Sequence, residues 1–159
     1  MILVLLGTQN NSFHRLLEEV EKNIKNKTIQ EEVIVQAGYT KFESKNMKII
    51  DLMSKEELAE YQDKASLIIT HGGVGSIISS IEKEKKVIAV PRKHEYGEHV
   101  NNHQIQIIKD FTDKGYIIGI ENVEDLHDAI IKSKTFVPVK YQPNNSKMLK
   151  IIENFIENI

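Results

Sequence analysis

Short, wholly apolar runs alternate along this chain with stretches in which apolar residues recur every three or four positions. Ile2 to Leu6 is continuous and apolar, as a strand covered on both faces should be. Leu16, Leu17, Val20 and Ile24 then fall on one helical face, predicting a helix from about Phe13 with Ser12 as its N-cap and Glu18-Glu19 near its start. Val33 to Ala37, closed by Gly38, reads as a second strand, and Met47 to Ile50 as a short third. Ser54 to Lys64 reads as a helix, with Ser54 and Glu57 spaced as a capping box. Leu67-Ile68-Ile69 is another apolar run. It breaks at Thr70-His71-Gly72-Gly73, and Ile77, Ile78 and Ile81 restart a helical pattern. Lys83, Lys85 and Lys86 follow where a helix C-terminus favours cations, and read as a solvated helix end. Val87 to Val90, stopped by Pro91, predicts a strand; Glu98 to Asp113 a helix; Tyr116 to Ile120 the last strand; Val123 to Lys132 and Asn145 to Asn158 two further helices.

Strands alternating with helices throughout predict an α/β fold: a single Rossmann-like, doubly wound parallel sheet. The sequence has no internal repeat and no low-complexity segment. Residues 1–140 form the expected domain. The linker-like piece Lys134 to Asn145, with Pro138 and Pro143, sets off a tail, 141–159. In that tail Met148, Leu149, Ile151, Ile152, Phe155, Ile156 and Ile159 make a wide apolar stripe, and Asn145 or Ser146 can cap its start. Such a helix either folds back onto its own domain or docks on a partner.

Composition narrows the class. The chain of 159 residues is long enough for a real core, and 40% hydrophobic with 28% charged residues is a globular balance. A net charge of −2 gives no global case for a nucleic-acid partner. The absence of cysteine excludes disulfides, thiolate metal sites and a cysteine nucleophile, and fits a reducing cytoplasm. The apolar run after Met1 is too short for a signal peptide and has no basic leader, and no apolar stretch is long enough to span a bilayer. Work at a membrane would need something else to hold the chain there.

Sheets of this kind bind ligands at the carboxyl ends of their strands. Three loops are expected there: Gly7 to Ser12, His71 to Ser76, and Pro91 to Gln104. The second is strand, tight turn, helix. Its glycines allow close backbone approach, its helix start offers unpaired N–H groups to an anion, and Ser76 adds a hydroxyl. Glycines alone would serve equally for a tight turn; His71 before them and Ser76 after them point to a phosphate or pyrophosphate. The first loop, GTQNNS, has one glycine where the dinucleotide fingerprint G-x-G-x-x-G needs three, and no P-loop G-x-x-x-x-G-K-[ST] occurs. The acidic pair of a receiver domain and any Asp-x-Asp seat for a nucleotide-bridging metal are absent. Charge on a diphosphate would therefore be met by helix N-termini, histidine and Arg92. The third loop, PRKHEYGEHVNNHQ, is the most polar stretch of the chain. His99 and His103 at i, i+4 would suit a metal, but no third ligand is evident. Asn101, Asn102 and Gln104 are better suited to hydroxyl groups, and a cluster of Glu, His, Asn and Gln at a helix start supplies the paired donors and acceptors that sugar hydroxyls need.

SLIITHGGVGSI, KVIAVPR and EHVNNHQ, with the opening LVLLGTQNNSFHRLL and the segment VIVQAGYTKFE, together resemble the stand-alone C-terminal, donor-binding domain of family 28 GT-B glycosyltransferases. The likeness is closest to the soluble subunits of two-part UDP-sugar transferases, of bacterial capsule and exopolysaccharide synthesis and of dolichol-linked N-acetylglucosamine transfer. It covers Met1 to about Gln104 in motifs and the remainder in layout.

The resemblance implies one half of a GT-B fold and an inverting transfer of a hexose, galactose or N-acetylglucosamine, from a UDP-sugar to a lipid-linked saccharide. It implies no metal cofactor. The diphosphate would lie at His71, Gly72, Gly73, Gly75 and Ser76, with Gly7, Thr8 and Arg92 around it. Glu98 and His99 would face the sugar, with Asn102, His103 and Gln104 beside them. A membrane-anchored acceptor-binding subunit would complete the cleft, supply the general base and recruit this cytoplasmic chain to the inner face of the membrane, docking on its C-terminal helix. Two positions depart from the family pattern. Ser79 stands where many relatives carry a ribose-binding glutamate, the nearest acid being Glu82, and the sugar-facing pair is Glu-His rather than Asp-Gln or Gln-Gln. A non-enzymatic enhancer of a separate transferase is the alternative these departures leave open. A Rossmann oxidoreductase is disfavoured by the missing fingerprint, and a sugar-nucleotide epimerase by its need for two domains in one chain.

Overall fold

The computed structural model describes residues 1–142; the expected helix Asn145 to Asn158 and its apolar stripe lie outside the described residues. Six strands form one sheet: β1 (Ile2–Leu5), β2 (Val33–Gln36), β3 (Lys48–Ile50), β4 (Leu67–His71), β5 (Val87–Val90) and β6 (Ile118–Gly119). Their spatial order is β3-β2-β1-β4-β5-β6, and each neighbouring pair is parallel. The order reverses direction at β1, so the loops after β1 and β4 leave neighbouring strands at the carboxyl edge, where such sheets open a crevice.

The strands read as unbroken apolar runs because helices cover both faces. Ile2, Val4 and Leu6 pack with Val33, Val35, Ile69 and Ile88 on one face, under α1 (His14–Lys25) and α5 (Leu126–Ser133). Leu3 and Leu5 pack with Ile34, Ile68 and Ala89 on the other, under α2 (Lys55–Lys64), α3 (Val74–Glu82) and α4 (His103–Asp113). The period-two alternation of side chains thus feeds two separate cores from one strand. Among the described residues no helix is long and apolar enough to cross a membrane.

Several local expectations are met and others are displaced by tertiary contacts. Ser54 Oγ accepts from the Glu57 N–H at 3.1 Å, capping α2. Ser12 does not cap α1: the N-cap position is Phe13, whose N–H is taken instead by Thr40 Oγ1 at 2.9 Å, and the first turn of α1 holds no acid. The lysines after α3 are less free than a solvated helix end. Lys83 Nζ is 2.6 Å from Asp63, and Lys85 and Lys86 Nζ donate to the carbonyls of Asp63 and Ser133. The last strand is confined to Ile118–Gly119, since Gly115 turns at positive φ and Tyr116 packs edge-on against Tyr141 before the chain reaches β5. The largest shift concerns α4, which begins at His103 and not at Glu98. His94–Tyr96 form one 3-10 turn and Gly97 is left-handed. Asn102 Oδ1 then accepts from His94 N–H and Asn101 Oδ1 from His103 N–H. These side chains offer the backbone partners that a helix would otherwise supply.

Candidate functional site

The three loops do meet at the carboxyl edge. β4 ends at His71, and α3 starts three residues later at Val74 with Gly73 as N-cap and no side chain capping it. An uncapped helix start leaves its first N–H groups available to an anion. Gly73 has an ordinary φ of −72°, so what it supplies is space: a Cβ there would lie 2.7 Å from His71 Nε2. Gly7 needs both space and conformation, with φ +76° and a hypothetical Cβ 2.5 Å from the same nitrogen. The His71 ring is thus held between the two glycines. It is buried, and burial, with repulsion from Arg92 and His99, holds its pKa down at about 3, so it is neutral at physiological pH.

Gln104, from the first turn of α4, ties this turn to the end of β5. Its Oε1 accepts from Gly72 N–H at 3.0 Å and from Arg92 N–H at 2.9 Å, and its amide nitrogen lies 3.2 Å from His71 Nδ1. Among the described residues Arg92 is the largest fully buried side chain. Its guanidinium donates to the carbonyls of Leu6, Asn11 and Glu98 and lies 5.3 Å from the Phe13 ring, which binds the first loop to the third. Its Nε alone is buried without a partner. Burial lowers its pKa to about 10, still charged at neutral pH, with Glu98 opposing the fall.

Glu98 is also buried. Both carboxylate oxygens accept from Arg15, each at 2.8 Å, and Oε1 accepts in addition from Lys93 N–H at 3.0 Å. That hydrogen bonding raises the pKa of Arg15, whose guanidinium also stacks 4.1 Å over the Tyr96 ring. His99 is half-buried, and its pKa is lowered by burial and by the Arg92 charge. Its Nε2 is 3.1 Å from Gln9 Nε2, and Asn11 Nδ2 donates to Gly97 O at 2.9 Å. Among the described residues no three His, Asp or Glu side chains converge as metal ligands.

The model of the glycosyltransferase family 28 C-terminal domain matches residues 1–159. The chain belongs to this family. The UDP-N-acetylglucosamine transferase subunit ALG13 of Candida glabrata is 24% identical over 139 residues, 85% of this chain and 67% of that protein. The Candida albicans subunit of the same name is 28% identical over 81 residues, 51% of this chain and 26% of that protein. The human one is 33% identical over 63 residues, 40% of this chain and 5% of that protein. The chain thus aligns with only a small part of these last two relatives. Among solved structures, an NMR structure of ALG13 superposes with TM-score 0.59 at 18% identity, covering 99% of this chain and 96% of that one. MurG of Acinetobacter baumannii superposes with TM-score 0.52 at 16% identity, covering 98% of this chain and 49% of that one. The fold is therefore one Rossmann-like half of a GT-B glycosyltransferase.

Within this family 28 domain, the expected site residues fall into three groups. His71, Gly72, Gly73, Gly75 and Ser76 form the turn and the helix start, and Gly7 lies against His71. Thr8 is exposed beside Gly7, as is Gly75, whose position has open space around a would-be Cβ. His99 and His103 are half-buried and Asn102 exposed along the rim. Arg92, Glu98 and Gln104 are buried, and their polar groups bind the protein's own backbone, Arg15 and His71. These bonds tie the three loops to one another. His99 precedes α4, so His99 and His103 do not share a helical face. Ser79 Oγ accepts from Gln62 Nε2 at 3.0 Å and donates to Ser76 O at 3.2 Å, so this position joins α2 to α3. Arg15 carries no sequence signal, and Gln9 and Asn11 stand out only as members of the Gly7 to Ser12 loop. Their partners lie 81 to 90 residues away, and no local pattern announces such pairs.

Proposed function

We propose that this chain is the donor-binding, catalytic subunit of a two-part glycosyltransferase that moves N-acetylglucosamine or another hexose from a UDP-sugar to a lipid-linked saccharide. The observation that carries the reading is the turn after β4. A buried neutral histidine lies against Gly7 and Gly73 at an uncapped helix start, in a chain of the glycosyltransferase family 28 C-terminal domain. N-acetylglucosamine is the first choice because the relatives are named for its transfer. The nucleotide is held without a metal, since the helix start and His71 supply donors where a cation would otherwise sit.

The reaction is an inverting displacement. The acceptor hydroxyl attacks the anomeric carbon as the bond to the β-phosphate oxygen breaks. Negative charge grows on the departing phosphate, at the end of α3 best placed to stabilise it. One such domain makes half a cleft. A membrane-anchored partner brings the acceptor and a general base within hydrogen-bond reach of its hydroxyl, and holds this chain at the cytoplasmic face. The acceptor belongs to lipid-linked assembly of an exopolysaccharide, a capsule or a dolichol-type glycan.

Calorimetric titration of the full chain with UDP, with and without Mg²⁺, tests donor binding. Metal-independent binding is expected, and a requirement for Mg²⁺ or no binding at all refutes the reading. A second reading is kept because Ser79, in the ribose-acid position, is engaged with Gln62. On that reading the chain enhances a separate transferase without holding nucleotide. Absence of UDP binding combined with rescue of a partner transferase's activity would favour it.

A further inference from the structure

Gln104 is buried and sits against both Gly72 and His71, and the function proposed above leaves it unassigned. Its amide has only one orientation compatible with its neighbours. Two backbone N–H groups, of Gly72 and Arg92, point at one end of it at 3.0 and 2.9 Å, so that end must be the carbonyl oxygen. The other end is then the NH₂ group, a donor, and it lies 3.2 Å from His71 Nδ1. A nitrogen that receives a hydrogen bond carries no proton. In a neutral imidazole the proton must therefore be on Nε2. That nitrogen lies against both Gly7 and Gly73, where a Cβ would stand 2.5 or 2.7 Å away.

We infer that Gln104 is a positioning residue: its amide fixes His71 as the Nε2–H tautomer and so aims a neutral N–H donor into the crevice between the β1 and β4 turns, where it meets a phosphate oxygen of the donor nucleotide. The phosphate half of this inference rests on the UDP-sugar reading; the tautomer half does not. The logic is that of a histidine whose free nitrogen is set by what the other one binds. The charged or titratable groups acting on the ring are Arg92 and His99, while Gly7 and Gly73, against the ring, carry no side chain. Both groups disfavour a second proton on His71, which keeps the donor neutral.

The test is nitrogen NMR on the full chain labelled at histidine, read together with UDP titration. In the ligand-free parent, His71 Nδ1 should show the shift of an unprotonated ring nitrogen and Nε2 that of a protonated one, unchanged between pH 6 and 8. Adding UDP should move the Nε2–H resonance. The informative variant is Gln104→Glu. It is close to isosteric and keeps an acceptor for both backbone N–H groups, but its carboxylate cannot donate to Nδ1. His71 Nδ1 should become protonated. At low pH the resulting imidazolium still carries Nε2–H. As pH rises and it loses one proton, the Nδ1–H tautomer facing the carboxylate survives and a lone pair replaces the donor at the phosphate. UDP affinity of the variant should then fall with rising pH by about ten- to hundredfold relative to the parent, the scale of one hydrogen bond to a charged group. The parent profile corrects for titration of UDP itself. An Nδ1–H tautomer in the parent overturns the role of Gln104, as does an Nδ1 that stays unprotonated in the variant. A variant whose UDP affinity tracks the parent at every pH overturns the phosphate contact. Failure of the parent to bind UDP at all removes the nucleotide reading and leaves the tautomer result standing on its own spectrum.

Discussion

Glu98 provides the sharpest test of how this site is built. A sugar-facing acid should be expendable for folding and indispensable for transfer. The structure instead gives its carboxylate three hydrogen bonds, two from Arg15 at 2.8 Å and one from Lys93 N–H at 3.0 Å. The pair lies between the buried and exposed limits, the Glu98 side chain being 4% exposed and that of Arg15 23%. Breaking a buried pair costs about 3–5 kcal/mol and an exposed one about 0–1 kcal/mol, so about 2–3 kcal/mol is the reasonable intermediate. Leaving Lys93 N–H without an acceptor adds about 1 kcal/mol. Glu98→Ala should therefore lose about 3–4 kcal/mol. That lowers the melting temperature by roughly 10 °C for a domain of this size, within what a typical domain survives. Glu98→Gln keeps an acceptor oxygen for Lys93 and should lose about half as much. Circular-dichroism melts of Glu98→Ala, Arg15→Ala and the double variant supply the cycle. The two single losses should overlap, with a coupling of about 1–3 kcal/mol. A Glu98→Ala protein that melts within about 2 °C of the parent, yet has lost transfer, would refute this reasoning and return Glu98 to the sugar.

Two further outcomes follow from the same geometry. Gly73→Val should abolish UDP binding in calorimetry and lower the melting temperature as well, because its Cβ would stand 2.7 Å from Nε2 of the buried His71 ring; a folded variant that keeps its affinity would place the diphosphate elsewhere. His71 has a pKa depressed from 6.5 to about 3 in the folded chain, so the unfolded state binds the extra proton first. The contribution of this group to stability is complete above about pH 6.5 and is lost as the pH falls toward 3, by at most about 1.4 kcal/mol per pH unit. Denaturant midpoints measured from pH 7 down to pH 4 should decline accordingly, and His71→Gln should remove that part of the slope. A parent slope unchanged by the substitution would show that His71 titrates normally.

The alternation of apolar runs and helical stripes was enough to place the parallel sheet, because a strand covered on both faces has no polar side to interrupt it. Ser54 and Glu57 foretold the cap of α2, and Gly72-Gly73 foretold the turn after β4, since both are governed by contacts within a few residues. The family likeness of SLIITHGGVGSI and EHVNNHQ belongs to the same local level. Tertiary structure decided which polar residues meet one another. Glu98, His99 and Gln104 look alike in sequence, members of one polar cluster at an expected helix start. The sheet order brings the β1 loop against the β5 loop, and only then does Arg15 reach Glu98 across 83 residues, Arg92 reach Leu6 O, and Gln104 reach Gly72 and His71. The same contacts delay α4 to His103, because Asn101 and Asn102 side chains take up backbone N–H groups on either side of Gly97. Periodicity reports what a residue's own element needs; it is silent about a partner that another loop delivers, and in this chain those partners are what close the site.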